Sequence, residues 1–239
     1  MSEHHRYSVG GREAVFEPVT VPEWLIDVVF EQERAVLEDL LSVLRREHVF
    51  YDIGANYGLY TGFGGQVVTE GTVVAFEPYP PNVAALERTV EINGLSNAAI
   101  YDVALSSTSG SREFAPPQSE RFATATFTSD GDHPESFHVR TVRADDFIAE
   151  QNIPAPSVVK IDVEGAEPVV LDGMESLLER EGCRHVFCEL HPPDEDAAHV
   201  RSIADYGSSV DEIVDRFESW GYEVDLSTRE GQLHLWARS

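Results

Sequence analysis

The sequence predicts an α/β fold, a doubly wound and mostly parallel sheet that carries a C-terminal antiparallel hairpin. Three observations lead to it. Short apolar runs alternate with amphipathic stretches between Val49 and Leu190, a glycine-containing turn joins the first run to a helix, and two strand-like segments flank Arg229-Glu230-Gly231 near the end of the chain.

Residues 1–30 are mixed, and His4 and His5 sit too near the terminus to define a site. From Glu31 to Arg46, the residues Val36, Leu37, Leu40, Leu41 and Leu44 recur at helical spacing, which predicts a helix packed beside the first strand, Val49 to Ile53. The next helix contains Gly62, Gly64 and Gly65, each costing about 1 kcal/mol relative to Ala, so a short helix held by tertiary packing is expected. A second strand, Val73 to Glu77, stops at Pro78. Pro80 and Pro81 then open a helix with Val83, Leu86 and Val90 on its apolar face, and Asn93-Gly94 ends it. Ala98 to Val103 is a third strand.

The stretch from 106 to 142 reads as an antiparallel elaboration with pieces at Arg112 to Ala115, Arg121 to Phe127 and Phe137 to Val142. Ser157 to Val163 and His185 to Leu190 are further strands, separated by a helix after Gly165 that presents Val170, Met174, Leu177 and Leu178. Residues 192–209 form a polar, acidic excursion. Val210 to Trp220 is the last helix, and Tyr222 to Leu226 pairs with Gln232 to Ala237.

A chain of 239 residues suits one domain with a small extension. Its charge is less ordinary: 17 basic against 43 acidic residues give a net −26, and Lys160 is the sole lysine. The acid excess is dispersed from Glu3 to Glu230, the pattern of a protein working at high salt, where a Debye length of about 3 Å at 1 M screens self-repulsion. The same field repels phosphate backbones and anionic lipid, so nucleic-acid binding through a basic surface is not expected. No apolar run approaches the roughly 18 residues that span a bilayer. The N-terminus also lacks a basic region followed by an apolar stretch, so a cytoplasmic protein without membrane insertion is expected. Cys183 and Cys188 make neither a disulfide framework nor a metal motif, and nothing in the sequence sets an oligomeric state.

The strand, glycine turn and helix at Tyr51 to Tyr60 suit a nucleotide-type pocket, in which a helix start comes close to a ligand. Gly54 permits that approach because it has no Cβ. A dinucleotide fingerprint would place a second glycine where Asn56 stands, and no phosphate-loop motif occurs, which disfavours a nicotinamide-dependent oxidoreductase. Glu77, an acid at the end of the second strand, can accept both hydroxyls of a ribose.

Three segments then resemble one family: Tyr51-Asp52-Ile53-Gly54-Ala55-Asn56-Tyr57-Gly58-Leu59-Tyr60, Ala75-Phe76-Glu77-Pro78, and Lys160-Ile161-Asp162-Val163-Glu164-Gly165-Ala166-Glu167. They are similar to the signatures of FkbM-type methyltransferases, as are Ala104-Leu105-Ser106 and Glu189-Leu190-His191-Pro192. The resemblance implies a seven-stranded, Rossmann-like methyltransferase sheet and S-adenosylmethionine as cofactor. The resemblance spans about Val49 to His191, and the chain is expected to divide into an extension with a helix, 1–47, and a methyltransferase domain, 48–239. It also implies that Asp52, Gly54, Asn56, Tyr57 and Gly58 belong to the loop at the methionine part of the cofactor, and that Glu77 with Pro78 holds the ribose. The region around Asp102 would lie beside the adenine, and Asp162 would border the cofactor. The implied reaction is O-methylation of a small-molecule or glycan hydroxyl; nitrogen or carboxylate methylation and a binding subunit without turnover stay open.

Methyl transfer needs a nucleophile held in line with the sulfonium methyl and, for a hydroxyl, a base within about 3 Å. Glu164 and Glu189 are the first candidates for that contact, followed by His191 and Asp162, since strand ends deliver all four to one edge of the sheet. Lys160 is expected to pair with an acid, and Glu167 to supply negative charge at a helix start. A divalent ion on Asp162, Glu189 and His191 is chemically reasonable, but the site is expected to be metal-free because these residues also bind substrate directly. The acidic segment Asp194 to Asp205 is expected to fold over or beside the acceptor.

Overall fold

The computed structural model describes residues 4–17, 23–115, 126–127, 136–179, 182–193 and 201–239. It opens with a hairpin, β1 (His5–Val9) and β2 (Arg12–Phe16), turned at Gly10-Gly11. Residues 1–30 are therefore not unpatterned throughout. The strands are short, and Phe16 is buried by the rings of Tyr57 and Phe63, so its partners lie far along the chain where no local period can reveal them. Helix α1 (Glu23–Val43) begins before the predicted Glu31, extending the apolar face back to Ile26 and Phe30.

Then β3 (Val49–Ile53), α2 (Leu59–Gly65), β4 (Thr72–Phe76), α3 (Pro80–Ile92) and β5 (Ala98–Tyr101) follow in the predicted order. The glycine run in α2 has a packing cause: a Cβ on Gly64 would stand 2.8 Å from the Phe50 ring beneath it. Strand β5 ends before Val103 because the chain turns at Asp102 into β6 (Ala104–Ser106) of a second sheet.

That sheet runs β6, β9 (Phe137–Arg143), β7 (Gly110–Ala115), β8 (Thr126–Phe127) in spatial order. The elaboration is thus a sheet, but not a purely antiparallel one, since β6 and β9 are parallel. Of the piece predicted at Arg121 to Phe127, all but β8 lies outside the described residues. Helix α4 (Ala144–Glu150) was not predicted; its seven residues are too short to display a helical period, although Phe147 and Ile148 are buried.

The remaining elements are β10 (Val158–Ile161), α5 (Glu167–Gly173), α6 (Glu175–Leu178), β11 (His185–Leu190), a 3-10 turn (Ile203–Tyr206), α7 (Val210–Ser219), β12 (Glu223–Arg229) and β13 (Gln232–Arg238). The helix predicted as continuous after Gly165 divides at Met174, which leaves helical geometry (φ −121°, ψ 17°) and sinks its side chain into the core.

The large sheet has the order β12-β13-β11-β10-β3-β4-β5. Five strands are parallel and the C-terminal hairpin adds β13 antiparallel to β11. Alternation along the strands separates two cores. Tyr51, Ile53, Val159, Ile161, Val186 and Cys188 face one layer, while Phe50, Val73, Val158 and Phe187 face α1 and α2. Asp52, Lys160 and Glu189 interrupt the second layer near its carboxyl edge. From β3 the chain winds outward through β4 and β5, then returns to place β10 on the other side. The carboxyl ends of β3 and β10 are therefore the switch point where such sheets bind ligands.

Candidate active site

At the switch point the Asp162 N–H donates to the Ile53 carbonyl (3.0 Å), and the N–H groups of Gly54 and Ala55 both donate to the Phe76 carbonyl (3.0 and 3.1 Å). Gly54 adopts φ +78°, and a Cβ there would stand 1.8 Å from the Asp162 carbonyl oxygen. The backbone that follows β10 thus excludes any Cβ at this position, and Gly54 also borders the cleft.

A cleft opens over the ends of β3, β4 and β10. Phe76, Val103, Leu105 and Phe114 form an apolar wall, and Glu77, Asn56 and Asn82 face it. Glu77 is buried; its Oε2 accepts the Asn56 N–H and its Oε1 the Tyr79 N–H, both at 2.8 Å. Burial pushes its pKa up to about 7 against the pull of those amides. The Asn82 side chain also bonds the carboxylate, and a carboxylate with about four lone-pair sites keeps capacity for a hydroxyl. The side-chain oxygens of Asn56 and Asn82 are buried without hydrogen-bond partners among the described residues. Such orphaned acceptors beside an apolar wall and a buried carboxylate fit the ribose, amine and adenine groups of S-adenosylmethionine.

The other predicted cofactor residues are placed differently. Pro78 and Asp162 border the cleft. Asp52 lies beneath the loop, accepts the Thr61 hydroxyl at 2.6 Å, and is raised to about 6 by burial. Tyr57 packs edge-on against Phe16, and Gly58 caps α2. Asp102 is exposed and does not line the cleft; its neighbours Val103 and Ala104 do. Asn82 escaped sequence reasoning because an asparagine just inside a helix opened by two prolines looks like an ordinary surface residue.

Glu164, Glu189, His191 and Asp162 come together, as expected. His191 Nε2 lies 3.4 Å from Glu189 Oε1, 3.5 Å from Glu164 Oε2 and 4.0 Å from Asp162 Oδ1. Its Nδ1 is 2.9 Å from Glu167 Oε1. Glu167 is fully buried and also accepts the Gly165 N–H, so its place is in the site and not merely at a helix start. Lys160 is paired as expected, 3.4 Å from Asp162 and 4.0 Å from Glu189, with its ammonium 5.0 Å from the centre of the Tyr60 ring.

Burial alone would favour neutral groups, but opposite charges overcome it at three positions. His191 is raised well above its ordinary value by Glu167 and Glu189, Lys160 is raised by Asp162, and Asp162 is lowered by Lys160. Glu189 moves up, through burial and then the Asp162 charge. Glu164 and Gly165 both take positive φ (+53° and +90°). A Cβ on Gly165 would stand 2.3 Å from the Arg201 carbonyl, and the Ile203 N–H donates to the His191 carbonyl at 2.9 Å. The end of the acidic segment thus lies beside the site, while 194–200 lie outside the described residues.

A mostly parallel sheet with this cleft at its switch point and an acid closing its second parallel strand defines a Rossmann-like, nucleotide-type binding fold. The crystal structure of a methyltransferase FkbM from Methylobacillus flagellatus shares the fold with a TM-score of 0.53 and 17% identity, over 82% of this chain and 45% of that one. The methyltransferase FkbM domain profile matches residues 52–224, and the chain belongs to the FkbM methyltransferase family. It is 31% identical over 187 residues to the hexuronic acid methyltransferase AglP of Haloferax volcanii, covering 77% of this chain and 72% of that protein. It is 30% identical over 179 residues to the 31-O-demethyl-FK506 methyltransferase FkbM of Streptomyces tacrolimicus, covering 63% and 68% respectively. Among the described residues no helix is long and apolar enough to cross a membrane.

Proposed function

We propose that this methyltransferase uses S-adenosylmethionine to methylate a hydroxyl group of a glycan or small-molecule acceptor. The observation that carries this reading is the sharing of side chains: Asp162 and Glu164 line the cleft and also belong to the carboxylate cluster around His191. Relatives named for a hexuronic acid and for an O-demethyl substrate support an oxygen acceptor.

When bound, the cofactor supplies an electrophilic methyl group on its sulfonium. Glu77 would hold its ribose, Asn56 and Asn82 would satisfy its polar edge, and Phe76, Val103, Leu105 and Phe114 would cover its ring. Asp162 and Glu164 would hold the acceptor hydroxyl in line with the methyl, where orientation supplies much of the rate. Because His191 is held in its protonated form by Glu167 and Glu189, a carboxylate takes the hydroxyl proton. Glu164, the more exposed of the two first candidates, can then pass it to solvent.

Incubation at molar salt with cofactor and with neutral-sugar or uronic-acid acceptors tests the reading. A product heavier by one methylene and stable to mild alkali supports an ether at a hydroxyl. An alkali-labile product would instead be a methyl ester and place the reaction on a carboxylate. Cofactor binding with no product from any acceptor would favour a binding subunit without turnover.

A further inference from the structure

We propose that the cavity between α1 and the C-terminal hairpin is a second binding site, which takes an uncharged polyhydroxylic compound such as a sugar ring and holds it through His234. The strand register builds the site. Lys160, Phe187, Trp236 and Asp225 stand in one row across β10, β11, β13 and β12, and Glu189, His234 and Ser227 stand in the next row towards the carboxyl edge. Residues two apart on a strand share a face, so both rows lie on the side of the sheet that Phe187 turns to α1. Helix α1 contributes Val36 and Asp39 opposite them.

His234 lines this cavity and is 6% exposed, yet neither ring nitrogen has a hydrogen-bond partner among the described residues. A buried polar group of this kind calls for a partner from outside the chain. Burial, and then the Lys160 charge, push its pKa down to about 4, so the ring is neutral and offers one donor and one acceptor.

The charges of the wall are already balanced. Lys160 pairs with Asp162 (3.4 Å), Arg229 with Asp39 across the rim (2.7 Å) and Asp225 with Arg238 (2.5 Å), so an ionic ligand gains no counter-charge there. An anion would serve only the donor of the imidazole and a cation only its acceptor, whereas hydroxyl groups serve both. Water does so too, but the cavity measures about 290 Å³, against the roughly 10–15 Å³ that one water needs. Val36 and the stacked rings of Phe187 and Trp236 (5.0 Å) give a group of waters few partners and suit the C–H face of a sugar. The Lys160–Asp162 pair joins the two sites, since Lys160 borders this cavity and Asp162 the cofactor cleft. The ligand is either the non-reacting part of the acceptor, which rests on the proposed function, or a separate sugar, which does not; the bonds to His234 are the same.

The test titrates the methyl α-pyranosides of glucose, mannose and galactose into the full chain in molar KCl. Magnetic resonance of ¹⁵N-labelled histidine rings reads the binding, with the His234 signals assigned by their loss in His234→Gln. At least one glycoside is expected to shift those signals saturably. By calorimetry, His234→Phe should weaken its binding by about tenfold or more and Ser227→Ala by a smaller factor, with circular dichroism checking that each variant folds. No saturable shift with any of the three, the result for a cavity that holds water only, overturns the proposal, and so does undiminished binding in both His234 variants. Competition between glycoside and acceptor, with a raised acceptor KM and unchanged cofactor affinity in His234→Gln, identifies the acceptor's own ring; binding without competition identifies a separate sugar. Methyl transfer in a chain that binds no glycoside removes this site and leaves the proposed function standing. Glycoside binding at His234 in a chain that methylates no acceptor does the reverse.

Discussion

Glu167 fastens His191: Oε1 of the wholly buried carboxylate lies 2.9 Å from the ring Nδ1 and also accepts the Gly165 N–H. One side chain therefore sets both the turn that presents Glu164 and the ring that faces it. Glu167→Ala leaves two buried donors unpaired and is expected to cost about 1–3 kcal/mol each. Glu167→Gln, which retains an acceptor oxygen, should recover much of this. Thermal melts of both variants against wild type check the order.

Glu77 predicts a pH dependence of cofactor binding. Its pKa in the free protein is raised from 4.5 to about 7, so the ionised form that best accepts two hydroxyls is the minority form at pH 6. Affinity should rise with pH and level off above 7, with roughly tenfold weaker binding at pH 6 than at pH 8. For the free protein the sign is opposite. A raised carboxyl stabilises the fold most below its unfolded value and loses that contribution as pH rises through about 7. Calorimetric titrations at several pH values measure the first effect, and Glu77→Gln should flatten the profile.

Glu164→Gln and Glu189→Gln should leave cofactor affinity within about tenfold of wild type and lower single-turnover transfer by about 100-fold. The two should differ in stability. Glu189 is buried against Lys160, whereas Glu164 is partly open to solvent, so the Glu189 variant is expected to melt lower. Near-normal transfer in both variants would remove them from the chemical step.

Gly54→Ala places a methyl against the Asp162 carbonyl, and the positive φ adds strain. Backbone cannot rotate away as a side chain can. A loss of about 2–4 kcal/mol is expected, the sum of overpacking and left-handed strain. Denaturant titration, with the slope checked for constancy, provides the measurement.

Salt should be needed for the fold. A net charge of −26 repels itself more strongly as counterions are withdrawn. Far-ultraviolet circular dichroism over a salt series is expected to show unfolding toward low ionic strength, and full structure in salt-free buffer would contradict the claim.

The parts of the fold that were legible in the sequence are those whose cause is local or repeated. Val49 to Ile53, Val73 to Glu77 and His185 to Leu190 announce buried strands by composition, and strand ends then bring Asp162, Glu164, Glu189 and His191 to one edge. What escaped depends on distant partners. The β1–β2 hairpin is organised by Phe16 against residues of α2 and its preceding loop, and Glu167 looks like helix-start charge until His191, 24 residues later, is seen to bind it. The resemblance points to the region around Asp102, and within that region Val103 and Ala104 line the cleft while Asp102 is exposed. Lys160 was readable because a lysine within an apolar strand demands an anion.

The contact between Gly54 and the Asp162 carbonyl also bears on how this scaffold can acquire new substrates. It binds the ends of β3 and β10 into a single rigid block, so neither loop can lengthen or tilt without displacing the other. Divergence in acceptor choice is left to the periphery, to the segment from Arg201 to Tyr206 that rests on the Gly165 turn. Retargeting libraries built on this protein belong there, with the block beneath it held constant.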